Sequence, residues 1–564
     1  MTATLEAPAD ASASDDTASL EPPAAARPVP AALAPWHDPH PRLGWLAVLV
    51  ITVLAGFTRF WALGFPPGKN TFPKSGMNFD EVYYGTEAQE ILRYGYEDNR
   101  GYMFIVHPPL GKWLIAGSEW LQGVFTGQHS ANAYLTNSLG WRIAPAVFGT
   151  LGVIMMTRIV RRLMRSNLFG FIAGLLMATE GMSLVLARTA ILDIFLQTSV
   201  IAGFGALVID RDKMRARLAG LIADGADLAE GVPSLGPRPW RLVGGVMLGL
   251  ACAVKWTGLS FFVLLALLSL IWDRAALKSA GVRRPGRSWR RRAVLPALGS
   301  LLVAPIATYL FCYLGWFTGE NSWNRHWAET HSASARLSFN LKLFTLKVPI
   351  NWSWVPDPIR SLGSYTLQAY RFHEGLDSGH AYASSPWSWF VLGRPVDFYY
   401  DGSSHACGAS TCSREILLIG TPLMWWAFAP MLLWLAWHWA TTRDWRAGAI
   451  WVAFAAGWLV WFQDLKRTMF LFYMAPLVPF LIIGLVLALG TMLGPAIGDR
   501  PAAETEAAAA DYEGADRRRN WGVAGVSVYL ALVIADFAWM WPIFTGGLLT
   551  YTDWHAHMWL PSWV

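Results

Sequence analysis

The stretch LGWLAVLVITVLAGFTRFWALG, residues 43–64, contains a single charged side chain, Arg59. A helix of that length is about 33 Å long, enough to cross the roughly 30 Å hydrocarbon core of a bilayer. One short polar stretch later comes NFDEVYYGTEAQEIL, residues 78–92, in which Asp80 and Glu81 stand side by side. The first stretch sets the fold class as a membrane protein. The second poses the functional question: the carboxylates either start a solvated helix or carry chemistry.

The rest of the chain repeats the first pattern. Of 564 residues, 54% are hydrophobic and only 15% are charged, whereas a soluble domain carries about 25% charge. The 32 Trp suit a chain with many membrane–water interfaces. Apolar runs fall near 43–64, 138–157, 168–186, 190–208, 241–255, 258–273, 293–316, 416–440, 446–463, 468–494 and 521–545. The sequence therefore predicts an all-α polytopic protein with about 11 transmembrane helices. The formal charge of +6 gives no case for nucleic acid, because the basic residues cluster between apolar runs. Those clusters, at 158–165, 211–217, 274–292, 443–446 and 517–519, all fall on one side if the N-terminus is cytoplasmic. That satisfies the positive-inside rule.

This topology places two loops outside, about 65–137 and 317–415. Residues 1–42, rich in Ala, Pro, Ser and Asp, read as a disordered cytoplasmic tail. Residues 43–494 are read as the transmembrane region with its outer loops. A flexible cytoplasmic loop is expected over 495–520, followed by a last span and an outer C-terminus over 521–564. Cys407 and Cys412, in the outer loop, are expected to form a disulfide. A metal site there would need more ligands than His405 supplies beside them.

Charged groups at membrane depth are costly and usually functional, and they gather near the outer face. Asp80 or Asn78 would cap a helix over 81–92, a role compatible with holding a base rigidly. His107 and Lys112, in HPPLGKW, are placed to meet a phosphate. Arg142, in GWRIAPAVFG, needs a partner: Asp80, Glu81 or an anionic ligand. Arg188 and Asp193 either pair with each other or meet a ligand. Lys255 marks the turn between two apolar half-runs, and Arg467 lies at the next outer turn. For the cations, snorkelling to the interface is the competing reading. One acidic pair with several cations suits a substrate with an anionic head and a lipid tail.

The segments TRFWALGFP, NFDEVYYG, HPPLGKW, WRIAPAVFG, ARTAILDIFL, AVKWTGLSFF and SSPWSWFVLGRPVDFYY occur in this order. Together they resemble the protein O-mannosyltransferases, GT-C membrane glycosyltransferases, the actinobacterial branch above all. The last third resembles the family mainly through RTMFLFYMAPLVPF. Eukaryotic members insert a β-trefoil domain in the large outer loop, for which 317–415 leaves no room.

The resemblance implies inverting transfer of mannose from polyprenyl phosphate mannose to Ser or Thr hydroxyls of exported proteins. The site would lie on the extracytoplasmic face of a bacterial plasma membrane, among membrane lipids, with the secretion channel as a further candidate partner. It implies Asp80 as base and Glu81 as a helper that orients a substrate or a cation. Arg142, Lys255, His107, Lys112 and Arg467 would serve the donor phosphate. No metal or other cofactor is expected, because a monophosphate leaves without one. A GT-C enzyme acting on a lipid or cell-wall glycan, and a non-enzymatic polyprenyl lipid carrier, are the competing readings.

Overall fold

A computed structural model describes residues 28–36, 38, 40–67, 76–98, 106–129, 137–332, 334–341, 344–351, 353–494 and 506–564, without the side chains of 334–351 and 506–515. Among these residues, eight helices are long and apolar enough to cross a membrane. They are Pro41–Phe60, Ser138–Met164, Asp193–Ala223, Gly258–Ser279, Pro285–Cys312, Trp445–Phe462, Leu471–Leu493 and Asp516–Thr545. Length and composition do not establish the other three expected spans. Asn167–Ala178 has 12 residues and Pro239–Val254 has 16, about 18 and 24 Å of helix. Pro422–Thr442 is long enough, but its Trp, Pro and His residues dilute its hydropathy.

The run read as one span over 168–186 breaks for a local reason. Glu180 sits between two helices and accepts from the amides of Met182 and Ser183, so it starts the short helix Gly181–Leu186. A carboxylate accepting the first free amides of a helix is a strong cap.

Asp193–Ala223 and Leu471–Leu493 are central, with 89% of their apolar windows buried. Pro285–Cys312 and Asp516–Thr545, at 22% and 28%, turn most of their side chains outward, as lipid-facing helices do. Close approach to the centre depends on small residues. At Gly245, on Pro239–Val254, a Cβ would come within 1.8 Å of the Ser300 carbonyl oxygen.

Two small antiparallel sheets, absent from the hydropathy reading, stand outside the helices. In one, β1 (Ser334–Leu341) pairs with β2 (Phe344–Asn351). In the other, β3 (Val396–Asp401), β4 (Cys412–Leu418) and β5 (Leu548–Thr550) lie in the order β3-β4-β5. The connection between β3 and β4 carries the Cys407–Cys412 disulfide. Between the two sheets lies an amphipathic helix, Asp357–Glu374.

The tail differs in part from its composition. Residues 1–27 lie outside the described residues, but Leu33 is fully buried against Met214 and Leu218. Arg215 donates to the Ala32 carbonyl at 2.7 Å. One buried leucine and its hydrogen-bonded neighbours are enough to dock a segment that is otherwise polar. Similarly, the helix Glu506–Thr545 begins inside the stretch expected to be a flexible loop, and 495–505 lies outside the described residues.

Gly245→Ala should lower the thermal midpoint of the purified protein, since overpacking costs about 1–3 kcal/mol. Gly299→Ala, where nothing lies within 4 Å of a new Cβ, should be neutral or slightly stabilising. Differential scanning fluorimetry of both variants checks the pair; equal midpoints would argue against the close helix approach.

Candidate active site

The two adjacent carboxylates have opposite environments. Glu81 is the first residue of the helix Glu81–Tyr94 and is fully buried. Its Oε1 accepts from Arg142 Nε and from the Ala190 amide, each at 2.8 Å. Its Oε2 accepts from Arg142 Nη2 at 2.7 Å and from the Asn78 amide at 2.8 Å. Four hydrogen bonds fill the acceptor capacity of a carboxylate, so Glu81 has none left for a substrate.

Arg142 is equally committed. Besides Glu81, its Nη1 and Nη2 donate to the carbonyls of Leu63, Phe65, Pro66 and Gly76. A guanidinium has five N–H groups, and all are engaged. The expectation that Arg142 holds the donor phosphate is corrected: it is a fully buried strut between the Ser138–Met164 helix and the loop before Asp80. Of the partners open to it in the sequence, Glu81 is the one used.

Among the described residues, Asp80 is the free member. It occupies the N-cap position of Glu81–Tyr94, yet its side chain makes no capping hydrogen bond. The carboxyl is half-buried. Loss of water around it, reinforced by Asp193 and Glu87, pushes its pKa up to about 6 against the pull of Lys255. Asp80 is therefore poised near neutrality, where a general base is most effective.

Lys255 stands where the helix Pro239–Val254 stops, in an extended conformation before Gly258–Ser279 begins. Its Nζ donates to Asp193 Oδ2 at 2.6 Å, one N–H of three. The Arg188–Asp193 pair read from the sequence does not form. Arg188 donates instead to the carbonyls of Thr58, Arg59, Trp61 and Ala62 at the end of the first helix.

Lys112 leaves the phosphate set. It is fully buried between Glu87, at 3.2 Å, and Glu97. That pairing ties Glu81–Tyr94 to the helix Leu110–Thr126. His107 stays at the site, its ring 5.0 Å from that of His373 and 6.1 Å from Tyr84. Burial, with Lys255, His373, Lys112 and Arg467 nearby, holds its pKa well below the usual histidine range. The imidazole is neutral at pH 7 and offers a hydrogen bond, not a charge.

Arg467 spends Nε on the His373 carbonyl at 3.0 Å and Nη1 on Tyr473 Oη at 3.3 Å. Among the described residues its Nη2 has no hydrogen-bond partner, so two N–H groups remain for an anion. His373, on Asp357–Glu374, and Tyr473 are site residues that sequence reasoning missed. Neither carries a charge pattern that marks a site, because tertiary packing brings them in from helices distant in sequence.

Phe79 fixes the base from the other side. Its φ of +46° lies in the left-handed region, uncommon for a bulky residue and of order 1–3 kcal/mol unfavourable. Its ring is held by a stack on Phe398 at 5.2 Å and by edge contacts to Phe470 and Phe472 at 5.7 and 5.9 Å. Lys255 Nζ lies 5.8 Å from the Phe472 ring centre. One aromatic cluster thus joins Asp80, Lys255 and the outer sheet.

A half-buried carboxyl beside cations, at one end of a helical bundle, fits a membrane glycosyltransferase. The fold agrees with that class: the chain superposes on the Saccharomyces cerevisiae protein O-mannosyltransferase complex bound to its sugar donor with a TM-score of 0.67, at 16% identity, covering 92% of each chain. Residues 49–318 match the family described as dolichyl-phosphate-mannose-protein mannosyltransferase, and 360–563 match the C-terminal four-transmembrane region of protein O-mannosyltransferases. Polyprenol-phosphate-mannose–protein mannosyltransferases are similar over nearly full length. That of Mycolicibacterium smegmatis is 40% identical over 92% of this chain and 93% of its own. Those of Mycobacterium tuberculosis and Corynebacterium glutamicum are 39% and 35% identical, over 95% and 93% of this chain and 95% and 94% of their own. The chain belongs to the protein O-mannosyltransferase family.

Arg142→Ala leaves the Glu81 carboxylate buried and unpaired, a loss of about 3–5 kcal/mol. The variant should show a depressed thermal midpoint and poor monodisperse yield. A well-folded Arg142→Ala protein with a raised donor KM would instead return Arg142 to the phosphate.

Proposed function

We propose that this protein transfers mannose from a polyprenyl phosphate carrier to Ser or Thr hydroxyls of exported polypeptides, with inversion at the anomeric carbon. The observation that carries the reading is the Asp80 carboxylate, unpaired among the described residues and held beside Lys255. Near-full-length similarity to bacterial enzymes named for this donor and for protein acceptors supports the substrates. The acceptor hydroxyl loses its proton to Asp80 while its oxygen bonds to the anomeric carbon. The bond from that carbon to the phosphate oxygen breaks, and the polyprenyl phosphate leaves with one more negative charge than it had in the donor. Lys255 and Arg467 oppose that developing charge, and neutral His107 donates a hydrogen bond. The leaving phosphate needs no acid. A single base also suits inversion better than the paired carboxylates of retaining glycosidases. No metal enters this scheme.

The site is proposed to face the extracytoplasmic side of the bacterial plasma membrane, where exported chains emerge from the secretion channel. The basic clusters at the other ends of the spans support this orientation. A lipid or cell-wall acceptor would use the same base, so the acceptor must be tested directly.

Asp80→Asn should cut single-turnover transfer to a Ser/Thr-rich peptide by about 10²-fold or more, with donor binding retained. Near-normal transfer by the folded variant would move the base elsewhere. Wild-type turnover should rise with pH through about 6 and level off above it, because only ionised Asp80 accepts the proton; a flat profile from pH 5 to 8 counts against this. EDTA should leave the rate unchanged. Mass spectrometry of non-reduced peptides should find Cys407 linked to Cys412 in protein isolated without reductant, and free thiols at both positions would contradict the outer placement of the loop.

A further inference from the structure

At the opposite end of the bundle from Asp80, six arginines are ion-paired among the described residues and a cluster of three is not. Arg161, Arg162, Arg211, Arg238, Arg283 and Arg446 each meet a carboxylate. Arg274, Arg287 and Arg290 have no side-chain partner among the described residues. All three are exposed, and with Gly286 and Trp289 they line one cavity of about 570 Å³.

Two features of this cavity go beyond a signal for membrane sidedness. The first is its position between two membrane helices. Arg274 lies on Gly258–Ser279, 16 residues past its start and hence about 24 Å along it. Arg287 and Arg290 lie at the start of Pro285–Cys312. One turn from Arg274, Ile271 is 60% exposed, and Leu267 a further turn away is 50% exposed. An apolar, lipid-facing strip thus leads into the three cations. The second feature is local geometry. Trp289 Nε1 donates to the Leu270 carbonyl at 2.7 Å, which pins the second helix against the first. Arg290–Val294 then forms a π-helical turn, a rare feature that often marks functional sites.

We propose that this cavity binds an anionic glycerophospholipid. The phosphate sits among the guanidiniums of Arg274, Arg287 and Arg290, and the acyl chains lie along Leu267 and Ile271. Arginine suits the role because its planar fork meets phosphate oxygens in pairs. Each cation near an anionic lipid headgroup adds affinity, and among the described residues none of the three pairs with a carboxylate. A soluble anion would satisfy the arginines but leave the apolar strip unused.

Native mass spectrometry of the full chain in detergent tests the proposal, with dioleoyl phosphatidylglycerol, dioleoyl phosphatidylcholine and inorganic phosphate as probes. Phosphatidylglycerol should bind at least about tenfold more tightly than phosphatidylcholine. The triple variant Arg274→Gln, Arg287→Gln, Arg290→Gln should lose that preference. It should keep its fold, since these side chains hold nothing else. Arg517→Gln, Arg518→Gln, Arg519→Gln removes equal charge from the same end and should keep the preference. Equal binding of the two lipids, a preference that survives the first triple variant, or loss of it in the second would each overturn the proposal. Protection of the thermal midpoint by inorganic phosphate as strong as by phosphatidylglycerol would make the occupant a soluble anion and overturn it as well.

Discussion

The rest of the site depends on the buried ion pair between Glu81 and Arg142. Taking either charge out of water alone would cost several kcal/mol, and attraction repays that only when the geometry is good and every remaining donor and acceptor is satisfied. Here both conditions hold. The carboxylate receives four hydrogen bonds, and the guanidinium spends its other N–H groups on backbone carbonyls from Leu63 to Gly76. One pair therefore fixes the end of the first span, the loop before the site, the turn at Ala190 and the first residue of the Glu81–Tyr94 helix.

That fixation gives the neighbouring Asp80 its character. The residue cannot swing into the bundle, because Glu81 already occupies the buried position. It cannot relax into solvent either, because Phe79 is clamped by rings from β3 and from the segment 470–472. The result is a carboxyl that is partly dehydrated, unpaired among the described residues and close to a lysine with N–H groups to spare. Of two chemically similar acids, one is satisfied by the fold and the other keeps its acceptors free among the described residues. The same contrast separates the cations: Lys112 and Arg142 are used up by the fold, whereas Lys255 and Arg467 retain donors.

Much of this was legible in the sequence. Hydropathy located the long spans, because a bilayer imposes a minimum apolar length that few other structures share. The motifs from TRFWALGFP to RTMFLFYMAPLVPF identified the family, and the position of Asp80–Glu81 after the first span pointed to the candidate site. Where the sequence erred, the cause was local. A composition-based tail missed the docking of Leu33, and a span drawn through Glu180 ignored its power to cap a new helix. The small sheets left no hydropathy trace, since strands of three to eight residues are too short to stand out as apolar runs.

The sequence by itself determined that the chain is a multi-pass membrane protein and drew attention to the acids of residues 78–84, because apolar length and adjacent charges are properties of consecutive residues. Only the tertiary structure decided which charge meets which. Arg142 lies 61 positions from Glu81 and Lys255 lies 62 from Asp193. His373 comes 267 residues after Val106, whose carbonyl it meets. A charge in a sequence has a sign but no address. Its role is set by the number of its hydrogen bonds that distant segments satisfy, and that number exists only once the helices have packed.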